Sequence, residues 1–132
     1  MRESQVAFEV ISSLPFAEAV TRARQALASE GFGVLTEIDV QATLKAKLGV
    51  ERDSYVILGA CHPPSAHQAL SVAPEVGVLL PCNVTVSVEN GRTIVRAMNP
   101  EGVLGILAKP ELAPVGVHVG AALRRVVVAC AS

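Results

Sequence analysis

Cys61, His62 and His67 fall within seven consecutive residues of the stretch ILGACHPPSAHQAL, and a second cysteine, Cys82, follows twenty-one positions after the first. Thiolates and imidazoles are the groups zinc prefers, and also the pair that a thiol nucleophile and its base require. A metal site needs Cys61, Cys82 and one or both of His62 and His67 to converge. The spacing C-H-x4-H with one distant cysteine matches no standard zinc pattern, and no C-x-x-C pair is present. A thiol enzyme would use Cys61, which stands just before a helix start, where the dipole and free N–H groups lower a thiol pKa. His62 or His67 would then be the base and Glu37 or Asp39 the orienting carboxylate. Pro63 and Pro64 remove two of those N–H donors, which weakens the case. The plain alternative is two buried structural thiols, because free cysteine is among the most buried residue types. His118, in the last helical segment, reads as a surface or hydrogen-bonded histidine.

These residues can act only where the chain's elements place them. Val6 to Ile11 reads as a strand. Pro15 to Glu30 reads as a helix, with Phe16, Val20, Ala23 and Leu27 at helical spacing and Gly31 as its stop. FGVLTEID is a second strand. Asp39 caps a short helix with Val40, Leu44 and Leu48 inward, ended by Gly49. SYVILGAC is a third strand, and the double proline opens a short helix that Pro74 closes. Asn90-Gly91 marks a hairpin in which Glu89 faces Arg92, Val88 faces Thr93, Val86 faces Val95, Val84 faces Ala97 and Cys82 faces Asn99. Strand alternation puts Cys82 on the apolar face of Val84, Val86 and Val88, and separates Cys61 from His62. A final helix runs from about Glu111 to Ala129. Its GVHVG segment, Gly116 to Gly120, sets two glycines on one face for close packing against the sheet or a partner subunit. The order is β-α-β-α-β-α-β-β-α, an α+β layer in one domain spanning 1–132.

Composition narrows the function. The chain is 51% hydrophobic and 17% charged with only 3% aromatic residues, so Val, Ala, Leu and Ile must build the core. That apolar excess points to a homodimer or larger assembly, since exposed apolar patches mark contact surfaces. The net charge is −1 and no Lys/Arg cluster occurs, which speaks against nucleic acid or an anionic membrane as partner. The longest uncharged stretch, Ser54 to Pro74, is broken by Gly59 and the double proline and is no membrane span. The N-terminal segment has no apolar run of a secretory signal. Three cysteines without a disulfide-scaffold pattern suit reduced thiols in a cytoplasm.

Thr36-Glu37-Ile38-Asp39, Gly59-Ala60-Cys61-x-Pro63 and Leu80-Pro81-Cys82-Asn83, in that order, resemble the domain of unknown function 302 over roughly residues 31–100. The resemblance implies a curved antiparallel sheet of about five strands with two long helices packed on it, plus short helices, in an architecture similar to the TATA-binding protein. Cys61 and Cys82 match that pattern, whereas His62 stands where asparagine is common and Asn99 where aspartate is common. The reading that follows is a homodimeric small-ligand-binding or structural module, with a pocket near Glu37, Cys61, Cys82 and Asn83 and no cofactor. Its rival is a thiol- or metal-dependent enzyme using Cys61 and Cys82 with Glu37 or a nearby histidine. Cys61, His67 and Cys82 are the weak candidates for a metal.

Overall fold

The Asn90-Gly91 turn organises the sheet. Asn90 and Gly91 have φ of 53° and 76°, the paired positive angles of a type I′ turn, which match the twist of the strands they join. Those strands, β5 (Cys82–Glu89) and β6 (Arg92–Met98), hold the expected register from Glu89↔Arg92 to Val84↔Ala97. The ladder ends there. Cys82 does not face Asn99 but pairs with Ala60 of the neighbouring strand.

The computed structural model describes residues 1–132. Its remaining strands are β1 (Arg2–Glu3), β2 (Ala7–Ser12), β3 (Gly33–Asp39) and β4 (Tyr55–Cys61). All six form one antiparallel sheet in the order β1-β2-β6-β5-β4-β3. The sixth strand beyond the expected five is the two-residue β1, too short to leave a sequence pattern. The helices are α1 (Phe16–Ser29), α2 (Val40–Leu48), α3 (Pro63–Val72), α4 (Pro100–Leu104) and α5 (Ala113–Ala129). The architecture is α+β, with the two long helices α1 and α5 against the sheet and against each other.

Alternation along the strands puts Phe8, Leu58, Val84, Val86 and Val95 on the helix side. They are fully buried with Leu27 of α1 and Leu123, Val126 and Val127 of α5. Pro110–Ala129 is long and apolar enough by composition to cross a membrane, but half of its most apolar stretch is buried inside the fold. On the other sheet face Arg96 bridges Glu9 at 2.6 Å and Glu89 at 2.5 Å, tying β2, β6 and β5 across their strands.

Two helix readings change. Asp39 does cap α2, accepting from the Ala42 N–H at 2.9 Å, and Gly49 closes it at φ 66°. Of the three residues expected inward, however, Val40 and Leu44 are only half-buried and Leu48 is 70% exposed. The glycine pair of α5 packs on α4 rather than on the sheet. A Cβ on Gly116 would stand 3.3 Å from Glu101 Cα, and one on Gly120 would stand 3.7 Å from Pro100 Cγ. Pro100 opens α4 behind an Asn99 cap, whose side chain accepts from Gly102 N–H and donates to the Ser4 carbonyl at 2.9 Å.

Candidate functional site

The residues that could do chemistry gather at one end of the sheet, where β4 and β6 end and β3 and β5 begin. A cavity of about 250 Å³ lies there, and 13 of its 17 lining residues are hydrophobic. Cys82 and Ala60 pair across β5 and β4 and form part of its wall, while Val115 and Val119 of α5 and Val76 contribute further apolar surface. Cys61 borders it too. Alternation turns Cys61 away from Cys82's face, yet both reach the cavity because it extends past the strand ends.

The β4-to-α3 joint shapes the opposite wall. Pro63 and Pro64 fill the first turn of α3, where their missing N–H groups cost nothing, and direct Ser65, Ala66 and Ala69 at the cavity. His62, at the N-cap, bonds Ser65 Oγ through Nδ1 at 2.7 Å. Ser65 is buried and its hydroxyl has no other partner. Nδ1 is thus engaged, and Nε2 is the ring nitrogen left without a partner in the chain.

Gly59 fixes how the two motifs fit together. It pairs with Asn83, and on its outer side the Pro81 ring and the Thr36 side chain occupy the place of a Cβ. Any larger residue would overlap Thr36 Oγ1 and stand 2.8 Å from Pro81 Cγ. The Leu80–Pro81 peptide is cis, and both residues line the cavity.

Four of the sequence candidates lie elsewhere or act differently. Glu37 is exposed on β3 and pairs with Arg24 of α1 at 2.8 Å, outside the cavity. Asn83 is also outside: it is exposed on the sheet face opposite Cys82, as strand alternation requires. His67 is exposed on α3 and lines no part of the cavity, so it does not join Cys61 and Cys82 as a ligand. No three His, Cys, Asp or Glu side chains converge on a metal position. Burial, and after it the neighbouring Cys61, push the Cys82 thiol up to about 11. At neutral pH it is a protonated wall group and not a nucleophile.

A second histidine stands here. His118 of α5 brings its ring centroid within 5.6 Å of that of His62, which also lies 5.4 Å from the Phe32 ring. These residues belong to a smaller polar cleft of about 240 Å³, walled also by Glu30, Ala122 and Arg125. The cleft shares Phe32, His62 and Val119 with the apolar cavity. Arg125 donates from Nε and Nη2 to Glu30 Oε1 at 3.0 and 2.7 Å, and this hydrogen bonding holds the Glu30 carboxyl below its ordinary range. His62 and His118 stand fifty-six positions apart, so no local spacing links them.

Comparison with known proteins places this geometry in a family. The model for Domain of unknown function DUF302 matches residues 8–130. The crystal structure of an uncharacterized conserved DUF302 protein from Bacillus stearothermophilus superposes with a TM-score of 0.88 at 30% identity, covering 94% of this chain and 97% of that one. No curated protein matches the sequence.

Proposed function

The chain belongs to the DUF302 family, and from that premise we propose that it is a homodimeric module binding a small, largely apolar molecule at the end of its sheet. One observation carries the reading: a cavity of about 250 Å³, almost wholly apolar, with Ser65 and His62 as its few polar groups. A dry apolar cavity of about 150 Å³ accepts benzene, so this volume suits a body of roughly ten carbon atoms. Pockets with such a wall and one or two convergent polar groups are the common form of small-ligand sites. The three free thiols suit a reducing compartment such as the cytoplasm.

The dimer reading rests on the β3 edge of the sheet and on α2. β3 has one neighbour, β4, so its other backbone edge is open to a strand. Leu35 is 66% exposed on this strand, and Ile38, Leu48 and Val50 are exposed beside it. The patch carries both Glu37 and Asp39 on β3 and Lys45 and Lys47 on α2, so a two-fold partner can set unlike charges against one another.

Ligand-observed NMR with apolar compounds of about six to ten carbons tests the site. Ala69→Leu fills the cavity from α3 and is expected to abolish binding while the protein stays folded. Binding that survives this substitution, or no binding by any such compound, overturns the reading. Sedimentation tests the dimer: wild type is expected to be dimeric at micromolar concentration and Leu48→Asp monomeric. A monomeric wild type refutes it.

A further inference from the structure

The polar cleft beside the cavity has a composition that selects one kind of head group. The geometry points to an amphipathic monocarboxylate as the ligand, its chain in the apolar cavity and its carboxylate held by His62, His118 and Arg125. This inference rests on the cavity reading above and adds the chemical class of the ligand.

The argument is a count of hydrogen-bond donors. The Ser65 hydroxyl engages His62 Nδ1, so Nε2 is the ring nitrogen left for whatever lies beyond it. His118 is exposed and forms no hydrogen bond within the chain, leaving its ring N–H free. Arg125 spends Nε and Nη2 on Glu30, and its Nη1 makes no hydrogen bond within the chain. Two imidazoles and a guanidinium, each with a nitrogen free of the chain, thus line one cleft, and the guanidinium carries a full charge. Glu30 supplies the opposing charge, but both of its bonds to Arg125 fall on Oε1 and use Nε and Nη2, so Nη1 remains free of the pair. A carboxylate satisfies such donors with two oxygens, whereas an alcohol offers one weaker acceptor.

The placement fixes the shape of the molecule. The cleft and the cavity share Phe32, His62 and Val119, so the two spaces adjoin along these side chains. A cavity of about 250 Å³ limits that chain. Scaling from benzene in about 150 Å³ gives an upper length of roughly ten carbons, which excludes long-chain fatty acids from full burial. His62 lines both spaces, with its ring centroid 5.4 Å from that of Phe32 and 5.6 Å from that of His118. Its ring can therefore touch both the head and the first methylene groups.

Sodium octanoate and 1-octanol have the same chain and different heads, so calorimetric titration of the intact protein with both at pH 7 separates the two readings. Wild type is expected to bind octanoate about tenfold more tightly than octanol, the difference that charge-assisted hydrogen bonds supply at a partly exposed site. His118→Ala removes one of the three groups and leaves the charged one, so that preference is expected to fall to about threefold. His118 is exposed and its loss leaves no buried group unpaired, so the variant is expected to fold. Equal affinity of wild type for the two ligands, or a tenfold preference that survives in His118→Ala, overturns the head-group assignment while leaving the cavity reading intact. If neither ligand binds, the cavity reading itself fails and this inference fails with it.

Discussion

Gly59→Ala is the substitution whose effect is best defined by the structure. The added Cβ would overlap Thr36 Oγ1 and lie 2.8 Å from Pro81 Cγ. The two neighbours respond differently. Thr36 is exposed near the open edge of the sheet and can rotate its hydroxyl away, at an off-rotamer cost of about 0.5–1.5 kcal/mol. The Pro81 ring has no such rotation and must carry its backbone with it, an overpacking cost of about 1–3 kcal/mol. Together they give about 3 kcal/mol. A chain of 132 residues unfolds with an entropy of about 0.28 kcal/mol per kelvin, so the midpoint should fall by about 10 °C. Thermal melts followed by circular dichroism measure this, and a second background divides the two costs. In Thr36→Ala the hydroxyl is already gone, so adding Gly59→Ala should cost about 1 kcal/mol less than in wild type. Because Pro81 lines the cavity, ligand affinity should fall in both Gly59→Ala variants. A Gly59→Ala protein that melts within 2 °C of wild type would refute the close approach of Pro81 and with it the account of this wall.

Three further outcomes follow from charge and burial. Hydrogen bonds from Arg96 and then from Ser87 hold Glu89 at about 2, below its ordinary 4.5, so its stabilising contribution is present above pH 4.5 and disappears as pH falls toward 2. Glu89 is 38% exposed, so screening leaves less than about 2 kcal/mol, and urea midpoints at pH 6 and pH 3 should differ more in wild type than in Arg96→Met. An equal loss in both proteins contradicts this. Cys82 and Cys130 are both pushed up to about 11, mainly by burial, so only about one thiol in a thousand is ionised at pH 8. Iodoacetamide followed by peptide mapping should label half-buried Cys61 first, and fast labelling of Cys82 in the native protein would show that it is not a buried wall group. Asn99→Asp keeps the cap on Gly102 but turns the amide that donates to the Ser4 carbonyl into a second acceptor. It should cost about 1–3 kcal/mol at neutral pH and less near pH 3, and a pH-independent effect argues against that bond.

The sequence was most informative where structure is local. The register from Glu89↔Arg92 to Val84↔Ala97 could be counted outward from Asn90-Gly91, because a two-residue turn and a period of two leave no freedom. The Asp39 and Gly49 caps of α2 were readable for the same reason. How deeply α2 is buried was not: Val40 and Leu44 are only half-buried and Leu48 is exposed, because spacing does not reveal what layer lies opposite. α4 is five residues long, too short for a period, and was detectable only through the Asn99-Pro100 start. Candidate site residues divide along the same line. Cys61 and Cys82 do border one cavity. Glu37 and Asn83 were grouped with them because they stand in the motifs that carry the family resemblance, yet Asn83 alternates to the opposite face and Glu37 turns to Arg24. His118 was passed over because only the packing of α5 on the sheet brings it to His62.

Cys61 and Cys82 first draw notice as reagents, but their neighbours assign them another part. Ala60 pairs with Cys82 and Gly59 with Asn83, so the two cysteine-bearing motifs are the two sides of one strand joint. Gly59 makes room for Pro81, and Pro63 starts the helix that carries Ser65 and Ala69 into the cavity. A small, apolar side chain is what that joint requires at position 82, where the thiol stays protonated and helps keep the wall dry. The groups proposed to recognise a polar ligand are His62, which lines both cavity and cleft, and His118 and Arg125 of α5. If that division holds, Cys82→Ala should bind the ligand nearly as well as wild type, since it removes a wall atom and no recognition. A loss of binding as large as that in His118→Ala would return Cys82 to the list of functional groups. Equilibrium titration of both variants with octanoate therefore decides whether the cysteine motif forms the container or the contact.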